Sequence, residues 1–312
     1  MQEILLILLN GLVYGLLLFM LSSGLTLIVG MMGVLNFAHA SFYMLGAYFA
    51  YTVSVGIGFW PALVIAPLLV GVLGVAVERY GLRAVHHHGK LAELLFTVGL
   101  AFVIGEVVPL VWGRTAVPYR VPAALDVPAF ALGGIQYQAY RLFMMAVSVA
   151  IFAGLYAALA RTRLGLVIRA ALTHPEMVAM LGHNVPRVFT LVFGAGCALA
   201  GLAGVIGGNV FTTTPGMAES LGPIVFAVVI MGGLGSIPGA LIASLVIGFI
   251  QTASVTLDAP LGTVLGRIGL PLDPHGALGQ LTIAHAAPAV PYLLLVLMLA
   301  LNPRGLMGAR AD

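Results

Sequence analysis

Residues 4–30 read Ile-Leu-Leu-Ile-Leu-Leu-Asn-Gly-Leu-Val-Tyr-Gly-Leu-Leu-Leu-Phe-Met-Leu-Ser-Ser-Gly-Leu-Thr-Leu-Ile-Val-Gly, without a single charge. A helix of about 20 apolar residues spans the hydrocarbon of a bilayer, so this stretch crosses with length to spare for tilt. Met1-Gln2-Glu3 in front of it carries no basic residue, and the run is longer than the apolar core of a signal peptide. We therefore expect it to be a span rather than a cleaved leader.

The rest of the chain repeats the pattern. Of 312 residues, 61% are hydrophobic and only 7% charged, against about 25% charged in a soluble domain. The 13 basic residues are bunched: none precedes Arg79, and none lies between Arg187 and Arg267 or between Arg267 and Arg304. Each gap holds one or more crossings. A chain this apolar must satisfy its backbone hydrogen bonds internally, and the alternating segments of a β-barrel are not visible. The expected fold is an all-α, polytopic membrane bundle of 8 to 10 spans, one domain over residues 1–312.

Nine apolar runs can be read, at 4–30, onward to 59, 62–77, 94–110, 142–159, 188–210, onward to 234, onward to 257, and a last one ending near 301. Residues 112–141, with Pro118, Pro122, Pro128 and Gly133-Gly134, read as an ordered loop. Placing 78–93, 160–187 and the C-terminus in the cytoplasm puts nine basic residues inside and four (Arg114, Arg120, Arg141, Arg267) outside. By the positive-inside rule this gives an outside N-terminus and a cytoplasmic C-terminus. Two breaks interrupt the apolar runs, Asn36–Ser41 and Gly235–Gly239, preceded by the similar Met32-Gly33-Val34-Leu35 and Met231-Gly232-Gly233-Leu234. Paired interruptions point to repeat-built transporters with half-helices beside the breaks.

Several functions are excluded. A net charge of +3 is no basic patch, so no nucleic-acid partner is expected. One cysteine, Cys197, supports neither a disulfide framework nor a Cys-based metal site, and no cofactor or metal is expected. The adjacent His86-His87-His88 reads as a solvated loop. There is no G-x-x-x-x-G-K-[ST] phosphate loop, no H-E-x-x-H and no G-x-S-x-G, so the chain is not expected to be an enzyme.

Polar groups among the apolar runs are the candidates for a translocation path: Asn36, His39 and Ser41 in the first break, Glu106 in the fourth run and Asn209 at the end of the sixth. Each has a plainer alternative. Asn36 and His39 also fit a hydrogen-bonded, capped turn, Glu106 an interfacial pair with Arg114, and Asn209 an interhelical hydrogen bond. In the 160–187 segment, Thr173-His174-Pro175-Glu176 fits a capping box, with Thr173 as N-cap. Pro175 is tolerated in a first turn, and Gly182 stands where a helix stops. The expected element is a two-turn helix over 175–181 with Met177, Val178, Met180 and Leu181 exposed. Such a helix is marginal alone and must pack on something. It rests either on the protein's own face or against another subunit.

Asn10-Gly11-Leu12-Val13-Tyr14-Gly15-Leu16-Leu17, Ser23-Gly24-Leu25-Thr26-Leu27-Ile28, Gly33-Val34-Leu35-Asn36-Phe37-Ala38-His39 and Met44-Leu45-Gly46-Ala47-Tyr48 resemble the opening of the branched-chain amino acid ABC-transporter permeases. Arg163-Leu164-Gly165, Gly201-Leu202-Ala203-Gly204, Gly232–Ala240 and Asn302-Pro303-Arg304-Gly305-Leu306 extend the resemblance over nearly the whole chain. The resemblance implies a permease subunit translocating branched-chain amino acids across the inner membrane, with urea or short amides as alternative solutes. It implies ATP-binding subunits, a second permease chain, most often a different one, and an extracytoplasmic solute-binding protein as partners. It also implies a cytoplasmic helix that inserts into the ATPase subunit, with an E-A-A-x-x-x-G pattern. Glu176-Met177-Val178-Ala179-Met180-Leu181-Gly182 keeps the Glu and the Gly and replaces both alanines. Thr173, Pro175, Glu176, Met177, Met180, Leu181 and Gly182 are thus the expected coupling residues. A stand-alone secondary transporter or channel is the competing class; it would carry more ionisable groups within its spans.

Overall fold

The structure is a computed structural model that describes residues 2–132, 135–173, 175–256, 260, 276 and 282–308. Its helices are α1 (Gln2–Met32), α2 (His39–Ile57), α3 (Phe59–Val77), α4 (Lys90–Trp112), α5 (Ala139–Arg161), α6 (Arg163–Thr173), α7 (Pro175–Met180), α8 (Val185–Gly207), α9 (Met217–Gly232), α10 (Ile237–Thr256) and α11 (Val290–Leu301). Every apolar run of the sequence became a helix. Among the described residues seven are long and apolar enough to cross a membrane, α3 continuing to His88 through a π-helical turn at Glu78–Leu82. The two shorter apolar helices, Met217–Gly232 and Ala287–Leu301, stand at the seventh and ninth runs. Beside the breaks α1, α2 and α10 are full-length; only α9, at 16 residues, is short.

Helix α8 sits at the centre, against α1, α2 and α3, while α1 also lies along α10. The reason is in its composition. In lipid, helices associate by close van der Waals approach, which small residues permit. Gly196, Ala200 and Gly204 recur every four residues of α8 and are all buried. A Cβ at Gly204 would collide with the Tyr43 carbonyl of α2, and one at Gly196 would meet the backbone of Gly24 and the side chain of Ile28 in α1. The most apolar stretch of α8 is 61% buried, whereas those of α4 and α5 are 17% and 11% buried. α4 and α5 therefore turn most of their surface outward, to lipid or to another chain.

The 112–141 connection holds more than the ordered loop expected. Pro128–Leu132 and Ile135–Gln138 form β1 and β2 of an antiparallel hairpin, with Phe130 and Tyr137 stacked at 5.2 Å between ring centres. Tyr119 and Tyr140 anchor this region on the core by donating to the carbonyls of Val205 (3.0 Å) and Ile206 (2.9 Å) at the end of α8. Burial pushes the Tyr119 hydroxyl well above its ordinary pKa, so it remains a donor.

Candidate functional site

One end of the bundle gathers both breaks. Helix α1 ends at Met32 and α2 starts at His39; α9 ends at Gly232 and α10 starts at Ile237. The end of α1 touches the second break, because a Cβ on Gly30 would fall on Gly235 and one on Gly235 would fall on Gly30. The C-terminal Asn302–Gly308 segment joins them: Leu306 N donates to Met231 O (2.7 Å) and Met307 N to Gly232 O (3.1 Å). The end of α1, the second break and the C-terminal segment thus meet backbone to backbone.

Asn36, His39 and Ser41 are buried where the chain enters α2, with His39 beside Leu21 and Gly24 of α1 rather than at the end of that helix. Asn36 Oδ1 accepts from Ala38 N (3.1 Å), capping the turn into α2, and His39 Nε2 shares a hydrogen bond with Leu21 O of α1 (3.0 Å). The capped turn is therefore present. Among the described residues Asn36 Nδ2 and His39 Nδ1 nonetheless have no partner and are buried, a costly arrangement for polar atoms. Glu106 lies elsewhere, exposed on α4 beside Phe102 and Val103. Among the described residues it forms no ion pair; the two salt bridges are Arg83–Glu78 and His86–Glu93. Asn209 donates to Tyr140 OH (2.9 Å), joining the end of α8 to α5, at the opposite end of the bundle.

The 160–187 segment carries an element the sequence reading missed. Arg163–Thr173 is itself a helix, α6, so α7 is not isolated. Val178 is buried, contrary to expectation, packing with Ala171 of α6 and Val185 of α8. Met177, Met180 and Leu181 are 60%, 85% and 78% exposed. The helix thus anchors by one residue and presents three apolar side chains outward. Its stop is a Schellman turn: Gly182 has φ +86°, His183 N bonds Val178 O (3.2 Å) and Gly182 N bonds Ala179 O (3.0 Å). Pro175 opens α7, and Glu176 is exposed in its first turn. The Thr173 side chain and His174, the front half of the expected capping box, lie outside the described residues. The next helix is capped by Asn184, whose side chain accepts from Arg187 N (3.1 Å). Arg83 then ties α8 to the turn after α3, bonding Glu78 Oε2 (3.0 Å) and Pro186 O (3.0 Å).

At the hairpin end lies a cavity of about 670 Å³ between α1, α2, α5, α9 and α10. Its walls are Val13, Leu17, Val210, Phe211, Met217, Leu221 and Val255, with Asn10, Tyr14, Tyr43, Arg141, Ser220, Gln251, Thr252 and Thr256 supplying polar atoms. This size is typical of a small-molecule site. None of the candidate path residues chosen from the sequence lines it. Asn10 and Tyr14 stood in a recognised block, but nothing in the sequence marked them as neighbours of Arg141 or Gln251.

A core built on small-residue helix crossings, two interrupted apolar runs and a short helix with an exposed apolar face belong to a polytopic helical membrane protein. Residues 7–300 match the family described as branched-chain amino acid transport system / permease component. The chain belongs to that family. It is similar to the high-affinity branched-chain amino acid transport system permease protein LivH of Salmonella typhimurium, 27% identical over 96% of this chain and 94% of the relative. It is also similar to the corresponding permease BraD of Pseudomonas aeruginosa, 28% identical over 77% of this chain and 83% of the relative. The probable permease LivH of Methanocaldococcus jannaschii is 30% identical over 78% of each chain. No solved structure matches.

Proposed function

We propose that this chain is a membrane subunit of an ATP-driven importer that carries branched-chain amino acids into the cell. The observation that carries the reading is the family match over residues 7–300, joined to relatives named for branched-chain amino acid transport. ATP is hydrolysed by separate subunits, since the sequence holds no phosphate-cradling loop. A second permease chain and an extracytoplasmic solute-binding protein complete the machine.

In this reading the end with the breaks faces the cytoplasm, and so does α7. Met177, Met180 and Leu181 are adaptable apolar contacts for a groove of the ATP-binding subunit. Movement imposed on α7 reaches the core by two routes: through Val178 to α6 and α8, and through Arg83 from α8 to α3. Helix α8 contacts α1, α2 and α3, so a tilt of α8 would alter the α1–α2 packing beside Asn36 and His39. Those residues are the proposed inner part of the path; Glu106 and Asn209 lie elsewhere.

Two measurements test the reading. Uptake of labelled leucine, isoleucine, valine and urea is compared in cells with and without the gene. Loss confined to the three amino acids is expected, and loss confined to urea would reassign the solute. A reporter fused after Gly89 is expected to score cytoplasmic and one fused after Pro128 outside; swapped signals would reverse the orientation.

A further inference from the structure

The cavity at the hairpin end has a chemical character of its own. Arg141 projects into it from the first turn of α5 and, among the described residues, has no acidic partner within ion-pair distance. Its guanidinium is held in place: it hydrogen-bonds Asn10 Oδ1 and lies 5.5 Å from the centre of the Tyr137 ring. Tyr137 is itself fixed, donating to Leu9 O (3.3 Å). A guanidinium positioned this way, beside apolar walls and with donors to spare, is suited to a carboxylate. The same cavity also offers acceptors. Tyr43 is fully buried and, among the described residues, neither its hydroxyl nor the buried Gln251 Oε1 has a hydrogen-bond partner. Burying such oxygens is costly unless a donor reaches them. The remaining walls, including Val13, Leu17 and Leu221, are apolar.

A fixed cation, unpartnered oxygens and an aliphatic wall in one cavity match the three parts of an aliphatic α-amino acid. We propose that this cavity is an amino-acid-binding site within the permease chain: Arg141 holds the carboxylate, Gln251 Oε1 and the Tyr43 hydroxyl receive the ammonium, and the aliphatic side chain lies along α1 and α9. The proposal rests on the importer reading and adds to it a substrate site inside this chain, separate from any site on a binding protein. It also gives a reason for a cationic side chain at the end of the bundle that otherwise runs against the charge bias.

The test uses the assembled transporter, permease pair with ATP-binding subunits, in nanodiscs without the solute-binding protein. Equilibrium binding of labelled leucine is measured, with leucinamide and 4-methylpentanoate as competitors lacking the carboxylate charge and the ammonium. Wild type is expected to bind leucine, with both competitors at least tenfold weaker than unlabelled leucine. Arg141→Met is expected to weaken binding by about 10- to 100-fold, the loss of hydrogen bonds to a charged group. Ser220→Trp, on an exposed residue at the cavity wall, is expected to block binding by filling the space. It decides the matter should Arg141→Met fail to assemble. Equal competition by 4-methylpentanoate would make the site one for carboxylates in general and overturn the ammonium assignment. Undiminished leucine binding in both variants, or no leucine binding by a wild type that imports leucine when the binding protein is added, would overturn the proposal and leave the importer reading standing. A complete complex that imports no amino acid would instead overturn the importer reading.

Discussion

Gly182 adopts φ +86° at the end of α7, a conformation in which an L side chain is strained. Gly182→Val would cost about 1–2 kcal/mol there, in a helix of only six residues with no long ladder of hydrogen bonds to hold it. Because Gly182 is exposed and outside every span, membrane insertion is expected to survive while co-purification of the ATP-binding subunits and uptake are lost. Glu176→Ala removes a carboxylate from the first turn, worth about 0.3–1 kcal/mol against the helix dipole, so a partial loss is expected. Normal assembly and uptake in both variants would reduce α7 to a surface helix. Arg83 supports a second test at this scale. Arg83→Met would leave Glu78, only 4% exposed, without its cation, and losing one partner of such a pair is costly. A lower melting temperature of the detergent-purified chain and, in the transporter assembled with ATP-binding subunits, ATP hydrolysis less responsive to solute are the expected results; an unchanged melting temperature would discount the tie.

Among elements, α8 decides the packing. Its small residues were visible in the sequence as Gly201-Leu202-Ala203-Gly204, but only the structure shows the faces they serve. Gly204→Val would place its Cβ on the Tyr43 carbonyl, and overpacking of this kind costs about 1–3 kcal/mol. Reduced yield of folded protein and a lower melting temperature are expected, with a wild-type melting curve as the contrary result. The spans were legible because lipid demands long uncharged runs, which composition alone reveals. The β1–β2 hairpin was not, because its strands are four and five residues long and gain their order from docking Tyr137 and Tyr140 on other helices. Helix α6 was hidden for a different reason. Its arginines drew attention as topology signals, while Val167, Ile168 and Ala171 already had the spacing of an amphipathic helix face. The stop at Gly182 was readable from one glycine, whereas the burial of Val178 depended on α6. The cavity was least legible of all, since its walls come from five helices between Asn10 and Thr256.

For the molecule as a whole, the two ends divide the work. One end joins both breaks, the C-terminal segment and the exposed face of α7; the other holds the hairpin and the cavity with Arg141. In the proposed importer such a chain is driven from one side, with the energy supplied by separate ATP-binding subunits. The purified chain alone is therefore expected to hydrolyse no ATP, and measurable hydrolysis by contaminant-free protein would contradict that. The most direct measurement of the central claim is leucine accumulation in proteoliposomes containing this chain, its partner permease and the ATP-binding subunits, with binding protein on the outside and ATP sealed within. Accumulation above the external concentration is expected only when ATP is inside and this chain is present. Leucine accumulation by this chain alone, without ATP and driven by a proton or sodium gradient, would contradict it.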